Sequence, residues 1–510
     1  MKKRIGSLLT ALLLCAALIL PCLAAGESEA KLNEYLLSGS ANAQQWVDET
    51  LVPQAGGKAD WFILALARAG DSVDLSRYAA ALETLAGSGE LTNAASRLRV
   101  ALVLRAAGYE SAAVDSLVPD AVGKNGVMCW VFGLHAITNG IPAGTHTAEE
   151  CIAELMKLRL EDGGWAVTGQ KADVDVTAMT VQALAPYAKD AEVAGAVEGA
   201  LAVLASRQED NGGFASFGVS NPESAAQVII ALCALGIDPA EDERFTKNGC
   251  TPLDGMTAYQ LPDGGFAHES GGGANDTSAA QALLAYAALN RLRSGAAPLY
   301  EFKDTALVPI PAEAFRTGSG LGIRTLLAIG VGAAALIAAA VLWFTGRRRL
   351  KSYITLLLIA AVAIAGIFFL DIRRPEDYYG SKESIKGESI RTVISIRCDT
   401  AIGERDFIPA DGVILPETEI TVSAGSSAYD QLVEAAKQNS IQLDAKADGY
   451  VSGLGYLYEF DLGPLSGWMF FVNGKASSVG ASDYTLQEGD TVEWRYTRAL
   501  GEDIGGGFNP

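Results

Sequence analysis

The sequence predicts a multidomain chain: an all-α segment of helix pairs, a two-helix transmembrane hairpin, then a small, mainly β domain with one helix. Three observations predict it. Asp162-Gly163-Gly164-Trp165, Asn211-Gly212-Gly213-Phe214 and Asp263-Gly264-Gly265-Phe266 recur at steps of 49 and 52 residues, and a fixed period near 50 marks stacked supersecondary units. Two uncharged apolar runs flank a basic turn in the middle of the chain. Beyond residue 388 the apolar period shortens to that of strands.

Residues 1–25 have the form of a secretory signal: Lys2, Lys3 and Arg4, then an apolar run from Leu8 to Leu20, then Leu23-Ala24-Ala25. Over 26–300 the pattern predicts helices at 41–53, 57–70, 75–88, 91–107, 111–118, 126–139, 147–160, 174–188, 190–207, 221–235, 240–259 and 275–293. These make six pairs. Alternate members from 57–70 onward are rich in Ala and Leu all round, as inner helices should be, and their partners mix apolar and charged positions. The double glycine permits a turn that a Cβ would obstruct, and the aromatic after it plugs the core.

A linker over 301–323 leads to the hairpin, 324–371. Thr325 to Phe344 and Ser352 to Leu370 are each long enough to cross a ~30 Å hydrocarbon core. The turn Arg347-Arg348-Arg349-Leu350-Lys351 places their shared end in the cytoplasm. Both large segments are then expected outside the cell, with the lipid bilayer as a partner and the cell membrane as the location. After a second linker (372–390), Thr392 to Ile396 and Glu419 to Val422 are expected as strands and Tyr429 to Gln438 as a helix. Gly467 to Val472 runs as a strand into an Asn473-Gly474 turn. Gly489 to Tyr496 closes a domain over 391–498, and 499–510 forms a Gly-rich tail.

Composition narrows the function. With 39 basic against 60 acidic side chains, the chain repels phosphate backbones, which argues against nucleic-acid binding. Three histidines and no C-x-x-C spacing give no basis for a metal centre. Cys129, Cys151, Cys233, Cys250 and Cys398 are expected as buried thiols. No phosphate-binding loop or nucleophile elbow is present, so catalytic residues and catalytic cofactors are expected to be none, and transport would be driven by a partner transporter.

The Gly-Gly-aromatic repeats resemble the α/α toroid family, which includes squalene–hopene cyclases, protein prenyltransferase β-subunits and the cobalamin carriers transcobalamin and intrinsic factor. The resemblance implies an α6/α6 toroid. Asp173-Val174-Asp175-Val176-Thr177-Ala178 is similar to the acid motif of the terpene cyclases with one Asp replaced by Val176. Helices 91–107 and 221–235 lack the aromatic residues a carbocation cavity needs.

Residues 388–498 resemble the C-terminal β-domain of the same cobalamin carriers in its bacterial form. Gly453-Leu454-Gly455, Trp468 with Phe470 and Phe471, Val479-Gly480-Ala481-Ser482-Asp483-Tyr484 and Trp494-Arg495-Tyr496 carry that resemblance. Together the two resemblances imply a carrier holding cobalamin or another corrinoid between toroid and β-domain. A corrinoid is a flat macrocycle edged with amides, and it calls for hydrogen-bonding side chains beside apolar surface. Asp175, Thr177, Gln227, Asn275, Asp276 and Gln281 follow the repeat turns and supply the first. Tyr456, Tyr458, Trp468 and Phe470 supply the second. His135 and His268 are expected as packed or surface residues. Two further readings stay open: a surface adhesion module for glycan or protein, and a toroid enzyme such as a polysaccharide lyase.

Overall fold

A computed structural model describes residues 26–315 apart from 71 and 217, then 323–345, 350–369, and 388–506 apart from 446–448. The expected signal at 1–25 and the arginines of the basic turn lie outside these residues.

Helices follow in chain order as α1 (26–36), α2 (Ala43–Trp46), α3 (Ala59–Ala69), α4 (Ser76–Ser88), α5 (Ala94–Ala106), α6 (Ala112–Asp115), α7 (Val127–Thr138) and α8 (Ala148–Lys157). They continue as α9 (Val174–Leu184), α10 (Ala191–Arg207), α11 (Pro222–Ala234), α12 (Pro252–Thr257) and α13 (Asp276–Ser294). Helices α3, α5, α7, α9, α11 and α13 touch in that order, and α13 returns to α3, so the six close a ring. Burial explains the arrangement. Every residue of α11 from Ser224 to Cys233 is buried, whereas α10 buries only Val193, Ala196, Val197, Ala200, Leu201 and Leu204, a single helical stripe.

The repeat turn has a physical logic that all three copies share. Gly163, Gly212 and Gly264 take φ of 104°, 86° and 96°, the left-handed region. The preceding Asp162, Asn211 and Asp263 accept from the backbone N–H of the second glycine. Trp165, Phe214 and Phe266 are then fully buried between repeats. Residues 240–259 depart from the expected helix: only Glu243–Phe245, a 3-10 turn, and α12 are helical. Asn248 and Gly249 turn with positive φ, and Pro252 restarts the helix behind a Thr251/Asp254 capping box.

Strands β1 (Tyr109–Glu110), β2 (Phe214–Ser216), β3 (Val219–Asn221) and β4 (Val308–Pro309) decorate the helical part. β2 and β3 form a hairpin just before α11, and β4 pairs in parallel with β1, tying the segment after the ring back onto it.

Helices α14 (Ile323–Phe344) and α15 (Leu350–Phe369) pack side by side. Among the described residues no helix is long and apolar enough to cross a membrane. This corrects the expected transmembrane hairpin over 324–371, the lipid bilayer as partner and the cell-membrane location.

The C-terminal part comprises β5 (Ser389–Arg397), β6 (Val413–Ser423), α16 (Ala428–Asn439), β7 (Leu443–Ala445), β8 (Val451–Leu454), β9 (Leu457–Tyr458), β10 (Gly467–Val472), β11 (Lys475–Ala476) and β12 (Thr491–Thr497). A mixed sheet orders them β11-β10-β12-β5-β6, with β12 and β5 parallel. β7, β8 and β9 form a second, small sheet. Helix α16 starts at a Ser427/Asp430 capping box and packs on β5 and β6. Its fully buried Gln431 donates from Nε2 to Thr392 Oγ1 at 2.7 Å, while its Oε1 has no hydrogen-bond partner.

Candidate ligand-binding site

The repeats build one wall of the site. Asp173, Asn221 and Asn275 are the N-caps of α9, α11 and α13, each accepting from the backbone N–H three residues on, at 3.0, 2.8 and 3.0 Å. Two residues after each cap stand Asp175, Glu223 and Thr277. Six residues after each cap stand Met179, Gln227 and Gln281. Positions four apart share a helix face, so three repeats present six side chains to one space. All six line a cavity of about 410 Å³ at this end of the ring. Trp61 of α3 and Ser216 and Val219 of the β2–β3 hairpin complete the helical side.

The opposite wall comes from the loop between β11 and β12. Ser478, Val479, Gly480 and Asp483 face the same cavity. A second cavity of about 740 Å³ continues from it, sharing His268, Asn275, Ser478, Val479 and Asp483. The two parts of the chain are joined at its rim. Lys58, just before α3, sits 2.9 Å from Asp483 Oδ1 and 3.2 Å from Asp276 Oδ2. Ser478 also donates to Glu269. Burial pushes the Lys58 ammonium down, but Asp276 and Asp483 outweigh it and its pKa is raised.

Amides form a ladder on the inner wall. Gln182 Nε2 donates to Gln227 Oε1 at 2.8 Å, and Gln227 Nε2 donates to Gln281 Oε1 at 2.6 Å. Such a chain fixes each amide's orientation.

Carboxylates dominate the electrostatics. Burial and the neighbouring charge of Asp173 push Asp175 up to about 7, with Glu223 adding to the effect and the Ser224 and Ser216 hydroxyls opposing it. Asp175 Oδ1 and Glu223 Oε2 are buried without a hydrogen-bond partner. Glu223 Oε1 accepts from Ser278 Oγ at 2.5 Å and lies 3.0 Å from His268 Nδ1. Burial lowers the His268 pKa, but the bond to Glu223 and the charges of Glu223, Glu269 and Asp175 raise it overall. Among the described residues no group of His, Cys, Asp and Glu is arranged to hold a metal ion.

Of the ten residues expected at the site, Asp175, Gln227, Asn275 and Gln281 line the cavity, and Asp276 stands at its rim on Lys58. Thr177 does not reach it: its hydroxyl is buried, donating to Trp165 O and accepting from Trp165 N, both at 3.0 Å, so it braces the repeat turn. The four aromatics lie elsewhere. Trp468 Nε1 donates to Leu457 O, Phe470 stacks on Trp494 at 5.3 Å, Tyr458 accepts from Gln442, and Tyr456 is exposed on the β8–β9 turn. His135 is buried against Tyr300, and burial lowers its pKa to about 3. His268, expected as an ordinary packed or surface residue, lines both cavities.

Sequence reasoning passed over Trp61, Met179, Glu223, Thr277 and the β11–β12 loop, and set His268 aside as an ordinary packed or surface residue. Aligning the repeats on their N-caps would have found three of these, since Glu223 and Thr277 are the equivalents of Asp175, and Met179 of Gln227. The loop falls within the string Val479 to Tyr484 that carries the C-terminal resemblance, but nothing in its side chains marks it as a wall.

Comparison with known proteins bears on the fold. The family model described as a domain of unknown function, DUF4430, matches residues 425–498. No curated protein matches the chain. Among solved structures, the crystal structure of haptocorrin in complex with Cbi is similar with a TM-score of 0.50 and 14% identity, covering 93% of this chain and 97% of that one. At that identity the likeness is one of fold: a helical N-terminal part followed by a β-rich domain, loosely of the transcobalamin kind.

Proposed function

We propose that this chain is a binding protein that takes a corrinoid, or a similarly bulky amide-edged molecule, into the cleft between the helical ring and the β11–β12 loop, and does no chemistry on it. The observation that carries the reading is the lining itself. Asn221, Gln227, Asn275 and Gln281 present amides, Thr277 and Ser478 hydroxyls, and Trp61, Met179 and Val479 apolar surface around one cavity. That mixture suits a macrocycle with amide edges. Each of the two compartments falls in the range of about 300–1,000 Å³ found for ligand sites, and their shared lining lets one large ligand occupy both. The likeness of fold to haptocorrin supports the same class of ligand.

Titrating the full chain with cobalamin and with cobinamide, read by heat and by the visible corrin spectrum, tests the reading. Saturable binding is expected. Gln227→Ala and Gln281→Ala should each weaken it about 3- to 10-fold, the equivalent of one hydrogen bond left unmade. Failure of both corrinoids to bind at high micromolar protein would overturn the proposal.

A further inference from the structure

We propose that Asp175 and Glu223 form a subsite for a cationic nitrogen group, an ammonium or guanidinium, carried by the ligand. The inference rests on the reading of this cavity as a ligand cleft and narrows its occupant: a corrinoid's edge amides are neutral, so the amide-edged molecule it favours also carries a cationic nitrogen.

The geometry points there in three steps. Asp175 and Glu223 occupy equivalent positions of consecutive repeats and line one cavity, and each keeps one carboxylate oxygen without a hydrogen-bond partner. A buried acceptor left unmatched is unfavourable until something donates to it. The neighbouring charges are matched among themselves. Asp173 accepts from Ser216 at 2.5 Å and from Val176 N, Glu269 accepts from Ser478, and Asp483 and Asp276 hold Lys58. Among the described residues His268 is the one cation lining the cavity of about 410 Å³, Lys475 lying in the adjoining one, and it is already engaged by Glu223 Oε1. The missing partner is therefore a donor with positive charge. An anionic group would meet two carboxylates. A bare metal ion lacks a third suitably placed ligand among the described residues. The raised Asp175 pKa agrees, since burial first, then the charges of Asp173 and Glu223, disfavour its ionisation.

The test is calorimetric titration of the full chain with n-butylguanidinium and with neutral butyramide, at pH 6 and pH 8, in buffers of different ionisation enthalpy. Butylguanidinium is expected to bind saturably and at least tenfold more tightly than butyramide. Because the cation needs Asp175 ionised, its affinity should be about tenfold lower at pH 6 than at pH 8, with close to one proton released at pH 6. Asp173, Glu223, His268 and Glu269 surround Asp175 and set where that change falls. Asp175→Asn should remove most of the pH dependence, leaving the smaller part that His268 contributes beside Glu223, and Glu223→Gln should weaken binding several-fold while keeping it. Equal binding of butyramide, or unchanged affinity in Glu223→Gln, would overturn the proposal even if Asp175→Asn does not fold. Cobalamin titrated in parallel separates the two readings. Cobalamin binding without butylguanidinium binding sinks the subsite alone, butylguanidinium binding without cobalamin binding sinks the corrinoid ligand alone, and binding of neither sinks both.

Discussion

Burial and neighbouring carboxylates keep Asp175 protonated to about pH 7, and the folded chain bears the cost of ionising it. A carboxyl whose pKa is raised on folding binds more protons in the folded than in the unfolded state between its two values. Stability from this residue therefore falls as pH rises from about 4 to about 7. Asp175→Asn should leave the melting temperature unchanged near pH 4 and raise it at pH 8, as scanning calorimetry would show. His268 pulls in the same direction. Its raised pKa gives a contribution complete below its ordinary value of 6.5 and lost as pH climbs through the raised one. At this scale the helical half of the site was readable because repetition fixes the face: Asp175, Gln227 and Gln281 follow caps at constant offsets. The aromatics of the β-domain were misassigned for an equally physical reason. Alternation along β10 separates Trp468 from its neighbours but does not say which face meets the core. Trp468 packs against Tyr496 and Phe470 against Trp494.

The repeat turns make the elements unequal in their tolerance. A Cβ on Gly212 would run into the Thr251 carbonyl, and one on Gly264 into the carbonyl of Lys31, both backbone atoms that cannot swing aside. On Gly163 the nearest atom is the flexible end of Arg159, at 3.3 Å. All three glycines have positive φ. Gly163→Ala should thus cost only the left-handed backbone term, about 1–2 kcal/mol. Gly212→Ala and Gly264→Ala add overpacking and should cost about 2–5 kcal/mol in urea denaturation. The turns were legible from three glycine pairs in register. The stretch 240–259 was not, because its apolar spacing fits a helix while Asn248-Gly249 and Pro252 break it, and local turn chemistry prevailed. Helices α14 and α15 show the converse. Their apolar runs set the expectation of a membrane hairpin, which the described residues do not support.

Across the whole molecule the site depends on groups more than 400 positions apart, a juxtaposition no local pattern could announce. Lys58 clasps Asp276 on the ring and Asp483 on the β11–β12 loop, with the Lys58 and Asp483 side chains 17% and 15% exposed. Removing one partner of a desolvated pair acts mainly on dissociation. On the proposed corrinoid reading, Lys58→Ala should release bound cobalamin about 3- to 10-fold faster in stopped-flow displacement, and raised salt should change the wild-type rate much less, because the pair is mostly buried. A different consequence follows from α1. Ser28 meets Gln260 and Tyr286, and the Lys31 backbone packs on Gly264, so the earliest described helix seals the seam between the last repeat and the first. During synthesis that helix is made long before its seat exists. The ring stays an open arc with an uncovered apolar edge until α13 has emerged, and closing it brings together residues 232 and 258 positions apart. Contacts of such separation fold slowly and leave the nascent arc prone to sticking, and a circular permutant that starts at α13 would not shorten the search, since it only moves the open seam to the contact between α11 and α13.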